Sequence, residues 1–259
     1  MGKCYLVLYA YYETDNSIKN LKFFLKNGVT DNEDVTFLFI INNNKLSVDM
    51  PNYENVHVLK RNNYGYDFGA YSMALDKINI DNYKYFIFLN DTVKGPFIPR
   101  YLPKKYWYKL FTNMLSENTK LCGSTKNYDP NGTHIQSSSF CTDDVGVKLL
   151  IDNNIFDLKN YDNEKSDHNM LINNDKVKFI LKYEIGMSKL FLDNGFKIKS
   201  LEQSENVSDR SKLPNLPLTD ISWNKNYYGA DLNPIEVMFY KSNRLKGKMF
   251  DNYTLWNSA

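Results

Sequence analysis

The sequence predicts an α/β protein in which a mostly parallel central sheet is flanked by helices, and three observations predict it. Short apolar runs, Tyr5–Tyr11, Val35–Ile41 and Tyr85–Leu89, have the length and the β-branched and aromatic content of strands buried on both faces. Stretches with helical spacing, Ile18–Lys26 and Gly69–Ile78, alternate with them. The runs also end abruptly in polar residues, Asn42-Asn43-Asn44 and Asn90-Asp91-Thr92. Strand ends of this kind form the ligand-binding edge of open α/β sheets.

Taken in order, Tyr5–Tyr11 is the first strand. Asn16 or Ser17 is positioned to cap the helix over Ile18–Lys26, and Gly28 lies beyond its end. Val35–Ile41 and Val56–Leu59 are the next strands, Gly69–Ile78 the second helix, and Tyr85–Leu89 the fourth strand. Residues 104–118 read as an amphipathic helix with an aromatic face. Leu121–Ser124 and Ile135–Phe140 read as strands across a variable loop at Asn127–Thr133. Val145–Asn153, Ser166–Asn173 and Tyr183–Asn194 are predicted helices, the last with Gly195 as its C-cap, and Phe196–Leu201 is a strand. Residues 203–233 are polar, contain proline and lack periodicity, so a mobile segment is expected there. Glu236–Tyr240 is predicted as a last strand, and nothing is legible beyond Arg244.

At 259 residues the chain suffices for one large domain. A net charge of +2 gives no electrostatic case for nucleic acid or for an anionic membrane surface. The 20 Tyr and 16 Phe suit sugar sites, though most serve equally well as core. Three cysteines (Cys4, Cys122, Cys141), an odd number without CxxC spacing, argue against a disulfide framework and a structural zinc site. No leader-like segment precedes the first strand and no stretch approaches a membrane span, so a soluble, cytoplasmic chain is expected. Asn-x-Ser/Thr matches such as Asn131-Gly132-Thr133 arise by chance in a chain this rich in Asn.

The chemistry concentrates in residues 61–97. Arg61-Asn62-Asn63-Tyr64-Gly65-Tyr66-Asp67-Phe68-Gly69-Ala70 joins the third strand to the second helix. Glycines at 65 and 69 let backbone approach a ligand, and a helix start at Gly69 would favour a phosphate. Asp67 could accept from a nucleobase N–H, or simply cap the helix. Asn90-Asp91 at the end of the fourth strand offers oxygen ligands suited to Mg²⁺ or Mn²⁺, or else an Asx turn. No GxGxxG follows the first strand, which counts against a dinucleotide-dependent oxidoreductase and a nucleotidyltransferase.

Together, Asn-x-Gly-x-Asp-x-Gly-Ala before a helix and an aromatic strand ending Asn-Asp-Thr-x-x-Gly-Pro-Phe resemble the GT-A-fold (Rossmann-like) glycosyltransferases. The likeness is to the rhamnan-synthesis and polysaccharide-biosynthesis branch of the inverting class, which includes algal and large-DNA-virus versions. It extends through His134-Ile135-Gln136-Ser137, Lys182-Tyr183-Glu184-Ile185-Gly186 and Asn233-Pro234-x-Glu236-Val237-x-Phe239-x-Lys241.

The resemblance implies one glycosyltransferase domain, with residues 1–100 binding a nucleotide sugar (a UDP-sugar favoured) and 101–259 a glycan or glycoconjugate acceptor. Tyr9, Ala10, Tyr11, Asn42, Arg61, Asn63, Gly65, Asp67 and Gly69 would surround the nucleotide. Asn90 and Asp91 would take the place of the family's Asp-x-Asp metal motif, one carboxylate replaced by a carboxamide that adds no charge. His168 could complete a metal site. Glu184 falls where the inverting class places its catalytic base, with Asp143 and Asp144 as rivals. His134 lacks a metal-ligand partner at helical spacing. A binding module of the same fold without turnover is the alternative.

Overall fold

A computed structural model describes residues 4–129, 132–156, 180–207, 212–213, 220–244 and 248–258. The amino-terminal half forms β1 (Tyr5–Tyr12), α1 (Asp15–Asn27), β2 (Val35–Asn42), β3 (Val56–Arg61), α2 (Tyr66–Leu75), β4 (Tyr85–Asn90) and β5 (Val93–Lys94). There follow α3 (Trp107–Thr112), β6 (Thr119–Gly123), β7 (Lys126–Asp129), β8 (Gly132–Ile135), β9 (Ser139–Asp143) and α4 (Asp144–Asp152). A π-helical stretch, Ile180–Ile185, runs into α5 (Gly186–Asp193), then β10 (Lys197–Ser200), α6 (Pro234–Val237), β11 (Tyr240–Lys241) and α7 (Lys248–Ser258). The predicted helix Ser166–Asn173 lies outside the described residues.

Seven strands make the central sheet in the order β10-β6-β9-β4-β1-β2-β3. All neighbours are parallel except β9, which runs antiparallel to both β4 and β6. This is the mostly parallel, GT-A-like sheet the sequence predicts. Its central strands β1, β2 and β4 are buried on both faces because they send apolar side chains to both sides, whereas the edge strands β3 and β10 are partly exposed. On β1, Leu6, Leu8 and Ala10 face the layer of α2, α4 and α5, whereas Val7, Tyr9 and Tyr11 face α1 and α3. Phe88 of β4 stacks on Phe140 at 4.6 Å and on Phe156 at 5.2 Å, knitting β4 to β9 and to the end of α4.

Element boundaries differ from the sequence reading for physical reasons. Helix α1 starts at Asp15 because Thr14 is its cap: Ser17 N–H donates to Thr14 Oγ1 (3.1 Å), and Thr14 N–H donates back to Ser17 Oγ (2.7 Å). Ser17 is thus the third residue of a capping box and not the cap. The aromatic stretch 104–118 yields only a 3₁₀ turn and the short α3. Asn127–Thr133, read as a loop, contains the β7–β8 hairpin ends. Ile135–Phe140 divides, since Gln136–Ser138 turn the chain before β9.

Glu236–Tyr240 is not one strand. Asn233 caps α6, accepting from Ile235 N–H at 3.0 Å, and Met238 (φ +63°) then breaks the backbone before the two-residue β11. β11 pairs antiparallel with β5, so the carboxy-terminal segment returns to the end of β4. Gly95 permits that return: a Cβ there would lie 2.5 Å from the Met238 carbonyl oxygen. Helix α7, invisible in the sequence, is anchored by Phe250 in an apolar cluster with Phe23, Phe97, Ile221 and Tyr240.

Candidate active site

Parallel register brings the ends of the first four main strands to one edge. Tyr12 is level with Asn42, Asn42 with Arg61, and Ala10 with Asn90. The turn Gln136–Ser138 closes this edge on the β9 side, where Ser138 carbonyl accepts from Asn90 N–H at 3.1 Å.

Asn90 organises the strand end rather than facing a metal. Its side-chain oxygen accepts from Thr92 N–H (3.1 Å) and Thr92 Oγ1 (2.6 Å), an Asx turn, while its amide donates to Asp67 Oδ2 at 2.6 Å. Asp91 receives the backbone N–H of Tyr12 on Oδ2, and its carbonyl accepts from Asn20 Nδ2 at 2.8 Å. Burial pushes the Asp91 carboxyl up to about 7, with the charge of Asp67 adding to the effect and the Tyr12 N–H opposing it. Asp67 is pushed up to about 6, again by burial first; the Asn90 amide lowers it and Glu184 raises it. Two carboxylates thus sit side by side with no cation bonded to either among the described residues. The hydroxyls of Tyr9 and Tyr71, buried beneath them, also lack partners among the described residues.

Glu184 reaches this cluster from the other half of the chain. Tyr183 packs on Phe68 with ring centroids 5.7 Å apart, so their sequence neighbours Glu184 and Asp67 converge. Glu184 Oε1 accepts from Ser137 N–H at 3.1 Å, and the residue is half-buried. The residue lies in the π-helical turn, a distortion that recurs at functional sites. Its rivals are committed elsewhere. Asp143 caps α4 (Gly146 N–H to Oδ1, 3.0 Å) and pairs with buried Lys120 at 2.6 Å, and Asp144 pairs with Lys84 at 2.6 Å.

Tyr9, Ala10 and Tyr11 are at most 1% exposed and belong to the core, because β1 extends one residue further; Tyr12, 38% exposed, occupies the edge. Gly69 is not a helix start. Helix α2 begins at Tyr66, and Gly69 N–H is spent on Gly65 carbonyl at 2.8 Å. Gly65 is the cap, at φ +67°, and Tyr66 follows at φ +51°, a left-handed pair that a non-glycine residue enters only under constraint. Arg61 supplies that constraint by donating to the carbonyls of Tyr64 and Tyr66 and to Asn42 Oδ1 (3.2 Å). Asn63 is half-buried in the same turn. His168 lies outside the described residues, and His134 is buried with Nδ1 against Gly132 carbonyl at 3.0 Å.

The sequence reading assigned no role to the cations here. Lys241 follows from the β11–β5 pairing and is close enough to Asp67 to lower its pKa. Its Nζ lies 3.4 Å from Asp220 Oδ2, and Arg244 Nε lies 3.6 Å from the same oxygen. Asp220 is held below the usual carboxylate range: burial alone would raise it, but Lys241 and the Ser222 N–H outweigh that. Lys241 closes the Asn233–Lys241 motif of the family resemblance, but its place at the edge comes from the pairing of two remote dipeptides.

Asp67 and Asp91 each have one oxygen bonded by a protein donor, and each is raised toward neutrality partly by a neighbouring carboxylate. Carboxylate oxygens of this kind fit a hard divalent cation such as Mg²⁺ or Mn²⁺, whose charge would offset the repulsion that Glu184 exerts on Asp67 and Asp67 on Asp91. Among the described residues, no group of three or more His, Cys, Asp and Glu is arranged to hold an ion, so the remaining ligands would come from elsewhere. No described helix is long and apolar enough to cross a membrane.

Solved structures with a related chain course include the mannosyltransferase PcManGT from Pyrobaculum calidifontis in complex with GDP-Man and Mn²⁺ (TM-score 0.47, 6% identity, 76% of this chain and 54% of that one). S. aureus TarS 1-349 matches at TM-score 0.35 and 13% identity over 59% of this chain and 49% of that one. A glycosyltransferase involved in glycosylation of the major capsid of PBCV-1 matches at TM-score 0.38 and 11% identity over 91% of this chain and 97% of that one. The chain spans about half the length of the first two of these structures. No curated protein sequence matches it. A family model matches residues 38–221, more than two thirds of the chain, and by that match the chain belongs to the RgpF family, rhamnan synthesis protein F.

Proposed function

We propose that the chain is a metal-assisted, inverting glycosyltransferase that moves a sugar from a nucleotide-diphosphate donor, a UDP-sugar favoured, to a glycan or glycoconjugate acceptor. The observation that carries this reading is the meeting of Asp67, Asp91 and Glu184 at one sheet edge with Lys241 beside them. Family membership and the fold support it.

In this reading Glu184 is the base. Ser137 N–H fixes one of its oxygens, and the other takes the proton of the acceptor hydroxyl as that oxygen attacks the anomeric carbon. The bond from the anomeric carbon to the diphosphate oxygen breaks, and its electron pair leaves on the diphosphate. Asp67 and Asp91 would hold a divalent ion, which when bound supplies charge neutralisation for the diphosphate. Lys241 and Arg244 lie where they can add to it, Asp220 keeping both in place. Arg61 and Asn42 shape the nucleotide side by fixing the Gly65–Tyr66 turn.

The test is transfer, or donor hydrolysis, across a panel of nucleotide sugars with Mn²⁺. Turnover by the wild type that Glu184→Gln abolishes supports the reading; no turnover with any donor rejects it. Asn90 favours one second reading, since its oxygen is taken by Thr92 where the family motif has an acid. A binding module without turnover would bind nucleotide and be indifferent to Glu184→Gln.

A further inference from the structure

Trp223 stands on the tip of an unusually well-anchored turn. Its neighbours Ile221 and Ser222 are 0% and 1% exposed, whereas Trp223 is 44% exposed. Ile221 N–H donates to Asn127 Oδ1 (3.3 Å), Ser222 Oγ to Gln136 Oε1 (3.3 Å), Ser222 N–H to Asp220 Oδ1 (2.9 Å), and Tyr240 OH to Ser222 carbonyl (2.7 Å). The indole is held from one side by Arg244, whose guanidinium carbon lies 3.9 Å from the ring centroid while its Nε pairs with Asp220. A large, partly exposed ring held on one face by a cation is preorganised for stacking, since little rotamer entropy remains to be lost.

The turn also has a definite address. Gln136 precedes Ser137, whose N–H holds Glu184, and Asp220 bonds Lys241, which acts on Asp67. Trp223 therefore lies on the Glu184 and β7–β8 side of the cleft, opposite the β2 and β3 ends where Asn42 and Arg61 stand. The family match ends at residue 221, so Trp223 falls just outside it. Pyranose rings present an apolar face of C–H groups that stacks on indole, while their hydroxyls bond polar side chains around it. Exposed Asn224 and Lys225 follow the ring directly.

We propose that Trp223 is the stacking platform of the acceptor-sugar subsite, binding a pyranose of the glycan beside Glu184. The inference rests on the glycosyltransferase reading. Its probes are the methyl pyranosides of glucose, galactose, mannose and rhamnose, followed by saturation-transfer NMR on wild type, Trp223→Phe and Trp223→Ala. UDP, GDP and dTDP are titrated in parallel with Mn²⁺.

The expected result is saturation of at least one glycoside by the wild type. Binding should weaken by about tenfold in Trp223→Ala, the scale of one aromatic contact, and largely survive in Trp223→Phe. Nucleotide affinity should be the same in all three proteins. Equal glycoside binding by wild type and Trp223→Ala, or none by the wild type, overturns the platform. So does a Trp223→Ala defect confined to nucleotide sugars, which would place the donor's sugar on the ring instead. A chain that binds no nucleotide overturns the underlying reading, whatever the glycosides do.

Discussion

Two pairs of aspartates, one of the four residues buried and three half-buried, show what the fold does with enclosed negative charge. Asp143 and Asp220 are given cations: Lys120 at 2.6 Å for the first, Lys241 and Arg244 for the second. Asp67 and Asp91 are bonded by no cation among the described residues: each takes one hydrogen bond, from Asn90 and from Tyr12 N–H, Lys241 acts on Asp67 only through space, and the Asp67 charge raises Asp91. The first pair is complete within the protein and serves it, capping α4 and fixing the carboxy-terminal segment. In the second pair Asp67 stands in the first turn of α2 and Asp91 directly after β4, and we propose that an added cation completes it. What separates the two pairs is a directly bonded cation, present in the first and absent from the second among the described residues.

The sharpest break of this comparison involves the third carboxylate of the cleft. Glu184→Gln should lower kcat by about 10²–10⁴-fold, the usual worth of a positioned base, while leaving Mn²⁺-dependent nucleotide binding intact. An unchanged kcat in steady-state kinetics would remove Glu184 from the chemistry. Next, Lys120→Ala strands the Asp143 charge in the interior and should cost about 3–5 kcal/mol in chemical denaturation. A loss below about 1 kcal/mol would mean the pair is not a structural one.

Asp91→Asn should act in the opposite direction. A carboxyl whose folded value exceeds its unfolded value of about 4 favours folding when protonated. That contribution is full below about pH 4 and fades as pH rises through about 6 for Asp67 and about 7 for Asp91. Glu202, buried and raised to about 8, adds to the same trend, so the variant must be compared with wild type at each pH. An asparagine oxygen can still accept from Tyr12 N–H without carrying charge. Without metal, Asp91→Asn should therefore melt higher than wild type at pH 8 and alike near pH 4 by scanning calorimetry. A lower melting temperature at pH 8 would show that the Asp91 charge is already compensated.

The ligand side of the same linkage has the reverse slope. If the pair holds the ion, both carboxylates must be ionised, so Mn²⁺-dependent nucleotide affinity should fall by about tenfold per unit from about pH 7 to about 6 and more steeply below that. A flat profile between pH 5 and 8 would separate the carboxylates from the metal. The smallest effect is a control far from either pair: Thr14→Ala removes the α1 cap and should cost about 1 kcal/mol, with no change in ligand affinity.

How much of this was legible in the sequence follows from the range of the interactions. β1, β2 and β4 were readable because burial on both faces writes a continuous apolar run. Asp91 could be singled out because a strand end is a local signal, whereas Glu184 is singled out only by the family resemblance. The role of Asn90 could not, since choosing between a metal and Thr92 takes geometry that both readings share in sequence. Asp67 was noticed, but its partners Asn90 and Glu184 lie 23 and 117 positions away, so its pairing with Asp91 emerges only from the register of β1, β2 and β4. Lys241, Arg244, Trp223 and α7 reach their places through β11–β5 pairing and the Phe250 cluster, contacts that leave no periodic trace.

The central claim, that Asp67 and Asp91 await a cation delivered with a nucleoside diphosphate, is tested most directly by calorimetric titration. UDP, GDP and dTDP would each be added with and without Mn²⁺ to wild type, Asp91→Asn and Glu184→Gln. The account predicts Mn²⁺-dependent binding of one nucleotide to wild type and Glu184→Gln, and its loss in Asp91→Asn. Absence of binding to the wild type, or binding indifferent to both Mn²⁺ and Asp91→Asn, would contradict it.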